Sequence, residues 1–316
     1  MPSPHSTSNS TTRRRPNWSG TTRLANQPDS EPKDERAMNG TSSSDVEYRP
    51  IADLIDLSGR TAVVTGAARG IGQAICSRLA EAGATVVVAD LDANAARETA
   101  EGLAGRWSAD VRPFTADVTD SASVDELAEY ADSIVGGLSV WVNNAGVYPT
   151  APLADVSDAD WERTLSITLD GTFYGCRAAA ARMVRRSGRA GRVIINMSSL
   201  SGLRGRKNLV SYVAAKHAVT GLVRSLATEL GGEGIRVVGV APSVVDTSGM
   251  RKRRTEATPA EAARIQALEA ASLAAIPLGR VGTVDDVAKA VLYLASDLSE
   301  YITGVVLPVD GGVSAS

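Results

Sequence analysis

Thr61-Ala-Val-Val-Thr65, followed by Gly66-Ala-Ala-Arg69-Gly70-Ile71-Gly72, is the stretch that decides the fold of this chain. The apolar run reads as a buried strand, and Ile71 to Ala82 carries the apolar spacing of a helix. Strand, glycine turn and helix in that order open a βαβ unit. Gly66 permits the tight turn, Gly70 lets the backbone approach a pyrophosphate, and Gly72 allows close helix–strand packing. The helix N-terminus then presents amides and a positive dipole to phosphate. Glycines at 66, 70 and 72 depart from the usual G-x-G-x-x-G, and a glycine turn can be purely structural. Its place between a buried strand and a helix favours a nucleotide.

Further along, Ala84-Thr-Val-Val-Val-Ala-Asp90 reads as a second buried strand. It ends in an acid 90 − 72 = 18 residues after the last glycine, where a carboxylate accepts ribose hydroxyls and repels a 2′-phosphate. Arg112-Pro-Phe-Thr-Ala-Asp117-Val118 ends a third candidate strand, and Val140-Trp-Val-Asn143-Asn144-Ala145-Gly146 a fourth. Asp117, Asn143 and Asn144 are also residues of ordinary caps and turns. Arg192-Val-Ile-Ile-Asn196 is a further buried strand, and Ser199 follows it at the carboxyl end, where open α/β sheets place ligands.

Tyr212 and Lys216 stand four apart in a helix-like segment, so both project from one face. A phenol with a pKa of about 10 is a poor proton shuttle at neutrality, and bringing it there takes about 4 kcal/mol. An ammonium one turn away supplies part of that, and an oxidised nicotinamide could supply more.

In order and spacing, Thr65-Gly-x-x-x-Gly-Ile-Gly72, Asn143-Asn-Ala-Gly146, Ser199 and Tyr212-x-x-x-Lys216 resemble the short-chain dehydrogenase/reductase family. The tail Gly279-Arg-Val-Gly282 … Gly304-Val-Val-Leu-Pro-Val-Asp-Gly-Gly312 does so too, and the likeness spans about residues 55–313. The resemblance implies a doubly wound Rossmann fold with a seven-stranded parallel sheet and a nicotinamide cofactor. It implies Tyr212 as acid–base group, Lys216 lowering its pKa and binding the nicotinamide ribose, and Ser199 holding the substrate oxygen. The cofactor positions it implies are Gly66, Arg69, Gly70, Ile71, Gly72, Asp90, Leu91, Asp117, Val118, Asn144, Ala145, Gly146, Tyr212, Lys216, Pro242, Val245 and Thr247. NAD is expected over NADP because of Asp90, with Arg69 the residue that argues the other way. A homotetramer or homodimer is expected, built on the helices around 158–186 and 209–230.

Two departures stand out. In Trp161-Glu-Arg-Thr-Leu-Ser-Ile-Thr168-Leu-Asp-Gly171, Thr168 occupies the place of an asparagine thought to anchor a relay water, and Thr has no amide and a shorter reach. The family's Pro-Gly becomes Pro242-Ser243, while Val245 and Thr247 are kept.

The 316 residues are 43% hydrophobic, ample for a core, and segments alternate strand-like and helix-like over 51–316 without a second composition break. That argues for one α/β domain with helices on both faces of a parallel sheet. Residues 1–50, rich in Ser and Thr and without periodicity, read as a disordered leader. Arg13-Arg-Arg15 is followed by no apolar stretch, so export is not expected. The net charge of −3 argues against nucleic acid, and no run approaches the ~20 apolar residues of a membrane span. Two cysteines, Cys76 and Cys176, make no disulfide framework and suit a reducing cytoplasm; both are expected as buried thiols. His5 and His217 do not build a metal site, and no metal is assigned.

The segment of about 247–277 is the expected lid. Arg251-Lys-Arg-Arg254 would guide an acidic substrate or a cofactor phosphate, or be a solvated face, and Thr258, Pro259 and Glu261 make a capping box. The chain is therefore expected to transfer hydride between a nicotinamide and a small ketone or secondary alcohol. The rival readings are a redox-silent nucleotide scaffold or sensor and a non-redox dehydratase or cyclase on the same fold.

Overall fold

Runs of β-branched residues build the sheet. In the computed structural model, which describes residues 48–185 and 191–315, Val63 and Val64 in β1 (Thr61–Thr65) have no exposed surface. Around it lie β2 (Thr85–Asp90), β3 (Val111–Thr115), β4 (Leu138–Asn143), β5 (Arg192–Met197) and β6 (Ile235–Pro242). A two-stranded ladder pairs β7 (Val245–Asp246) with β8 (Gly282–Thr283), and β9 (Val306–Val309) ends the series. The main sheet has seven parallel strands in the order β3-β2-β1-β4-β5-β6-β9. The order reverses at β1, so a crevice opens at the carboxyl ends of β1 and β4.

Ten helices are described: α1 (Ile51–Ile55), α2 (Gly70–Glu81), α3 (Ala93–Trp107), α4 (Ser121–Ser133), α5 (Asp158–Leu165), α6 (Gly171–Met183), α7 (Val210–Leu230), α8 (Ser248–Glu256), α9 (Pro259–Ala274) and α10 (Val284–Ala295). Alternate strand residues face opposite layers, as the twofold period of a strand requires. Val64, Val86 and Val142 pack with Ile75 of α2, Leu103 of α3 and Val291 of α10. Val63, Val87 and Trp141 pack with Leu127 of α4, Met183 of α6 and Leu230 of α7. Cys76 and Cys176 are buried free thiols, one in each layer. Arg49–Ser316 forms one compact unit; the leader expected at 1–50 lies almost wholly outside the described residues.

The third strand stops at Thr115, two residues before Asp117. The fourth stops at Asn143, so Asn144–Gly146 is the loop that leaves it. At the start of α9, the Thr258 hydroxyl and N–H both donate to the Glu261 carboxylate, at 2.7 and 2.9 Å, as the capping box predicts. The central helix holds the main surprise: Ser166–Asp170 is a π-helical turn, closed by Gly171 N–H donating to the Ser166 carbonyl. Such turns cluster at functional sites. No described helix is long and apolar enough to cross a membrane.

Candidate active site

The crevice is stitched together by Thr65. Its Oγ1 accepts the N–H groups of Asn144 and Ala145 at 3.1 and 3.2 Å, while the Asn144 amide donates to the carbonyls of Thr65 and Gly66, both at 2.9 Å. Thr65 was not among the residues expected at the site; its place as the last residue before Gly66 was the available signal. Gly66 has φ +61°, and a Cβ there would sit 2.8 Å from Ala145 Cα. A Cβ on Gly72 would sit 2.8 Å from Ala67 Cα, which explains the close helix–strand packing. Gly70 also has φ +61° but faces open space.

Asp92, Asp120, Ser157 and Thr283 cap α3, α4, α5 and α10 with side-chain oxygens, but Arg69 gives α2 no such cap. The first-turn amides of Gly70, Ile71 and Gly72 are left for a ligand, and beside them lies the open cradle at Gly70. This start of α2 fits a pyrophosphate.

Asp90 stands at the end of β2, beside the glycine turn. Its carboxylate accepts Ala68 N–H at 3.0 Å and Asp92 N–H at 3.1 Å. Arg69 lies 3.5 Å from the Asp92 carboxylate, and Leu91 is exposed beside them. Asp117 accepts Thr119 N–H at 2.9 Å and the Thr119 hydroxyl at 2.7 Å, a turn leading into α4. Val118 packs on Gly171, where a Cβ would lie 3.0 Å from it. Pro242 ends β6, Val245 is buried, and the Thr247 hydroxyl is engaged in capping α8 through Met250 N–H at 3.2 Å.

Ser199, Tyr212, Lys216 and Thr168 come together at the other end. Ser199 follows β5 and its Oγ accepts Ser201 N–H at 3.1 Å. Tyr212 and Lys216 lie one turn apart on α7, with the Lys216 ammonium 5.7 Å from the phenol ring centroid. A Cβ on Gly146 would lie 3.6 Å from Thr168 Oγ1 and 3.7 Å from Lys216 Nζ, so the loop after β4 runs past both. The exposed Tyr148 packs edge-on against Tyr212, with centroids 6.1 Å apart.

Two side chains have partners that the sequence did not name. The first is Lys216: its ammonium, fully enclosed, donates to the Met197 carbonyl, and burial pushes its pKa down to about 8. Burial also holds the Tyr212 phenol above its usual range; the Ser199 hydroxyl works against this, Tyr148 adds to it, and the Arg206 charge opposes it. Second, Thr168 bonds across the structure: its hydroxyl pairs with Val147, accepting the N–H at 3.3 Å and lying 3.5 Å from the carbonyl. It is Thr164 and Thr172 that bond to helix carbonyls one turn back, those of Asp160 and Thr168, at 2.7 and 2.8 Å. In the basic run of α8, Arg251 pairs with Asp246 at 2.8 Å; the side chains of Lys252, Arg253 and Arg254 lie outside the described residues.

Comparison with known proteins agrees with this geometry. Residues 66–314 match the family model described as enoyl-(acyl carrier protein) reductase, a short-chain dehydrogenase model. D-threitol dehydrogenase of Mycolicibacterium smegmatis is 40% identical over 256 residues, 81% of this chain and 93% of that protein. A gluconate 5-dehydrogenase from Burkholderia cenocepacia, solved with NADP and tartrate, superposes with a TM-score of 0.76 at 30% identity, covering 84% of this chain and all of the other. A 7α-hydroxysteroid dehydrogenase solved with NADH superposes at 0.74 with 31% identity over 83% of this chain and 96% of that one. Such relatives favour a redox enzyme over a silent scaffold or a dehydratase. The chain belongs to the short-chain dehydrogenase/reductase family, as a nicotinamide-dependent oxidoreductase acting on hydroxyl and carbonyl groups.

Proposed function

We propose that this enzyme interconverts a small secondary alcohol and its ketone with NAD(H) as the preferred cofactor. The convergence of Ser199, Tyr212 and Lys216 in the crevice that also holds the uncapped glycine turn carries this reading. The nicotinamide supplies or takes up the hydride when bound. Gly66, Arg69, Gly70, Ile71 and Gly72 hold the pyrophosphate, Asp90 and Leu91 the adenosine ribose, and Asp117 and Val118 the adenine side. Asn144, Ala145, Gly146, Pro242, Val245 and Thr247 line the path to the nicotinamide.

Tyr212 and Ser199 hold the substrate oxygen. In reduction Tyr212 gives its phenolic proton to the developing alkoxide, and in oxidation it takes the hydroxyl proton. Two donors aimed at one oxygen stabilise the charge that grows there. Lys216, enclosed and cationic below a pH of about 8, favours the phenolate and holds the ribose. Thr168 holds the Gly146–Val147 segment against the central helix, so that the cofactor loop keeps its place.

The NAD preference rests on the Asp90 carboxylate, which a 2′-phosphate would meet as a like charge, and on the engagement of Arg69 with Asp92. The enzyme is cytoplasmic and homo-oligomeric in this reading. Ala178, Met183 and Val219 belong to the core, whereas Ala181, Leu222, Leu226, Phe173 and Val184 retain exposed surface for an interface. Nicotinamide absorbance, followed in both directions with a panel of alcohols and ketones, tests the reading. Product formed without any absorbance change, or no turnover across the panel, would refute it.

A further inference from the structure

Ser198 has no part in the proton transfer described above, yet its hydroxyl is buried where the end of β5 meets α7. Burying a hydroxyl is unfavourable unless it is hydrogen-bonded. Ser198 Oγ lies 2.9 Å from Thr220 Oγ1 and donates toward the Lys216 carbonyl at 3.4 Å. Thr220 is itself buried and stands 220 − 216 = 4 residues after Lys216, one helical turn on. The Ser198 hydroxyl therefore grips the turn of α7 that begins at Lys216. Threonines elsewhere in the helices turn back on their own backbone. Thr164, Thr172 and Thr228 donate to carbonyls four residues earlier, at 2.7, 2.8 and 3.1 Å. Thr220 pairs across to the strand instead.

Three consecutive residues meet this part of the site. The Met197 carbonyl accepts the Lys216 ammonium, the Ser198 hydroxyl holds the helix backbone behind that ammonium, and Ser199 faces the crevice. On its other side, Ser198 N–H donates to the Val240 carbonyl at 2.8 Å, which ties the segment to β6. Gly202 closes the gap above the pair. Its N–H donates to the Ser199 carbonyl at 2.8 Å, and a Cβ on it would run into Ser198 Oγ and lie 2.6 Å from the Lys216 carbonyl oxygen. Strand end, short turn and helix are thus packed without slack around two hydroxyls.

We propose that the Ser198–Thr220 pair is a positioning clamp, which fixes the segment carrying Ser199 against the face of α7 that carries Tyr212 and Lys216. Both hydroxyls act through Ser199 and Lys216 and touch neither substrate nor cofactor. The clamp serves the proton transfer proposed at Tyr212 and rests on that reading. Two donors aimed at one substrate oxygen must keep their spacing, and a misplacement of about 1 Å can cost about a hundredfold in rate.

The test uses the full chain with NAD(H) and three probe pairs: 2-butanol, cyclohexanol and glycerol with their ketones. Thr220→Val removes one hydroxyl at nearly constant shape, Ser198→Ala removes the other, and Thr220→Ser keeps the pair. Thr220→Val and Ser198→Ala should each lower kcat about tenfold while the nucleotide Kd stays within about twofold. The double variant should lose no more than either single one, because the hydroxyls act as a unit. Thr220→Ser should keep kcat within about threefold of wild type, even with a lower melting temperature. Wild-type kcat in Thr220→Val, additive losses in the double variant, or Thr220→Ser as slow as Thr220→Val would each overturn the clamp. Should Ser198→Ala fail to fold, the contrast between the two Thr220 variants still decides.

A readout without turnover runs in parallel. Carbon-13 NMR of the Lys216 side chain follows the titration of its ammonium. A loosened clamp admits water to that charge, so the midpoint should rise from its wild-type value in Thr220→Val and hold in Thr220→Ser. An unmoved midpoint in Thr220→Val overturns the clamp. A midpoint that moves as expected, in a protein that turns over none of the three pairs, would refute the alcohol–ketone reading and leave the clamp standing.

Discussion

The carboxylate of Asp90 accepts the backbone N–H of Ala68 at 3.0 Å, which clamps the end of β2 to the glycine turn. The same carboxylate takes Asp92 N–H, and Asp92 in turn lies 3.5 Å from the Arg69 guanidinium. In the proposed reading, cofactor choice and loop shape thus share one residue. Asp90→Asn keeps an acceptor for Ala68 and removes the charge, so the preference ratio of NADP over NAD should rise by about ten- to a hundredfold. Titration of both cofactors checks this; an unchanged ratio would show that Asp90 only shapes the loop.

Thr168 is buried and its hydroxyl pairs with both polar groups of the Val147 peptide unit. Thr168→Val keeps the shape and leaves those groups short of a partner, at a cost of about 1–3 kcal/mol. Turnover should fall with it, because Gly146 and Lys216 adjoin the same contact, while cofactor affinity should hold. Thr168→Asn, with a donor and an acceptor, should be tolerated. Full wild-type turnover in the Val variant would mean that Thr168 only fills space.

Lys216, the catalytic charge of the proposed reaction, is kept at the expense of stability. Burial lowers its pKa in the fold to about 8 from 10.5. Between those values the unfolded chain binds the proton more tightly, so stability rises with pH across that window and the full penalty applies below about 8. Lys216→Met should therefore stabilise the fold at neutral pH by about 1–3 kcal/mol, trimmed by the donor lost to the Met197 carbonyl, while turnover collapses. Thermal melts should show the gain at pH 7 shrinking toward pH 10. A variant less stable than wild type at pH 7 would contradict the argument.

The Tyr212 phenol is held above its usual range by burial, so in alcohol oxidation, which needs the phenolate, the rate should climb with pH. Carbonyl reduction needs the protonated phenol and should fall on the alkaline side. Tyr212→Phe should lose about a hundred- to ten-thousandfold in kcat while nucleotide still binds. Residual turnover near the wild-type rate would assign the proton to another group.

The compact unit starts at Arg49, whose guanidinium pairs with Asp297 at 2.9 Å, and Asp297 also holds Arg60 at 2.6 Å. Removing residues 1–47 keeps that link and should leave melting temperature and turnover unchanged. A large loss of either would give the leader a role in the folded enzyme.

Much of this protein was legible as a string. Burial and backbone geometry act residue by residue, so the valine runs of β1 and β2, the glycines at 66, 70 and 72, the box at Thr258 and Glu261 and the four-residue step from Tyr212 to Lys216 all carry their structure locally. What the string did not hold was partner choice. Lys216 turned to Met197, Thr168 to Val147 and Asp90 to Ala68, each about twenty residues away, and the π turn at Ser166–Asp170 was not foreseen. A polar side chain meets several acceptors of nearly equal net worth, about 1 kcal/mol each, and only the crossing of strands and helices decides which of them stands within reach.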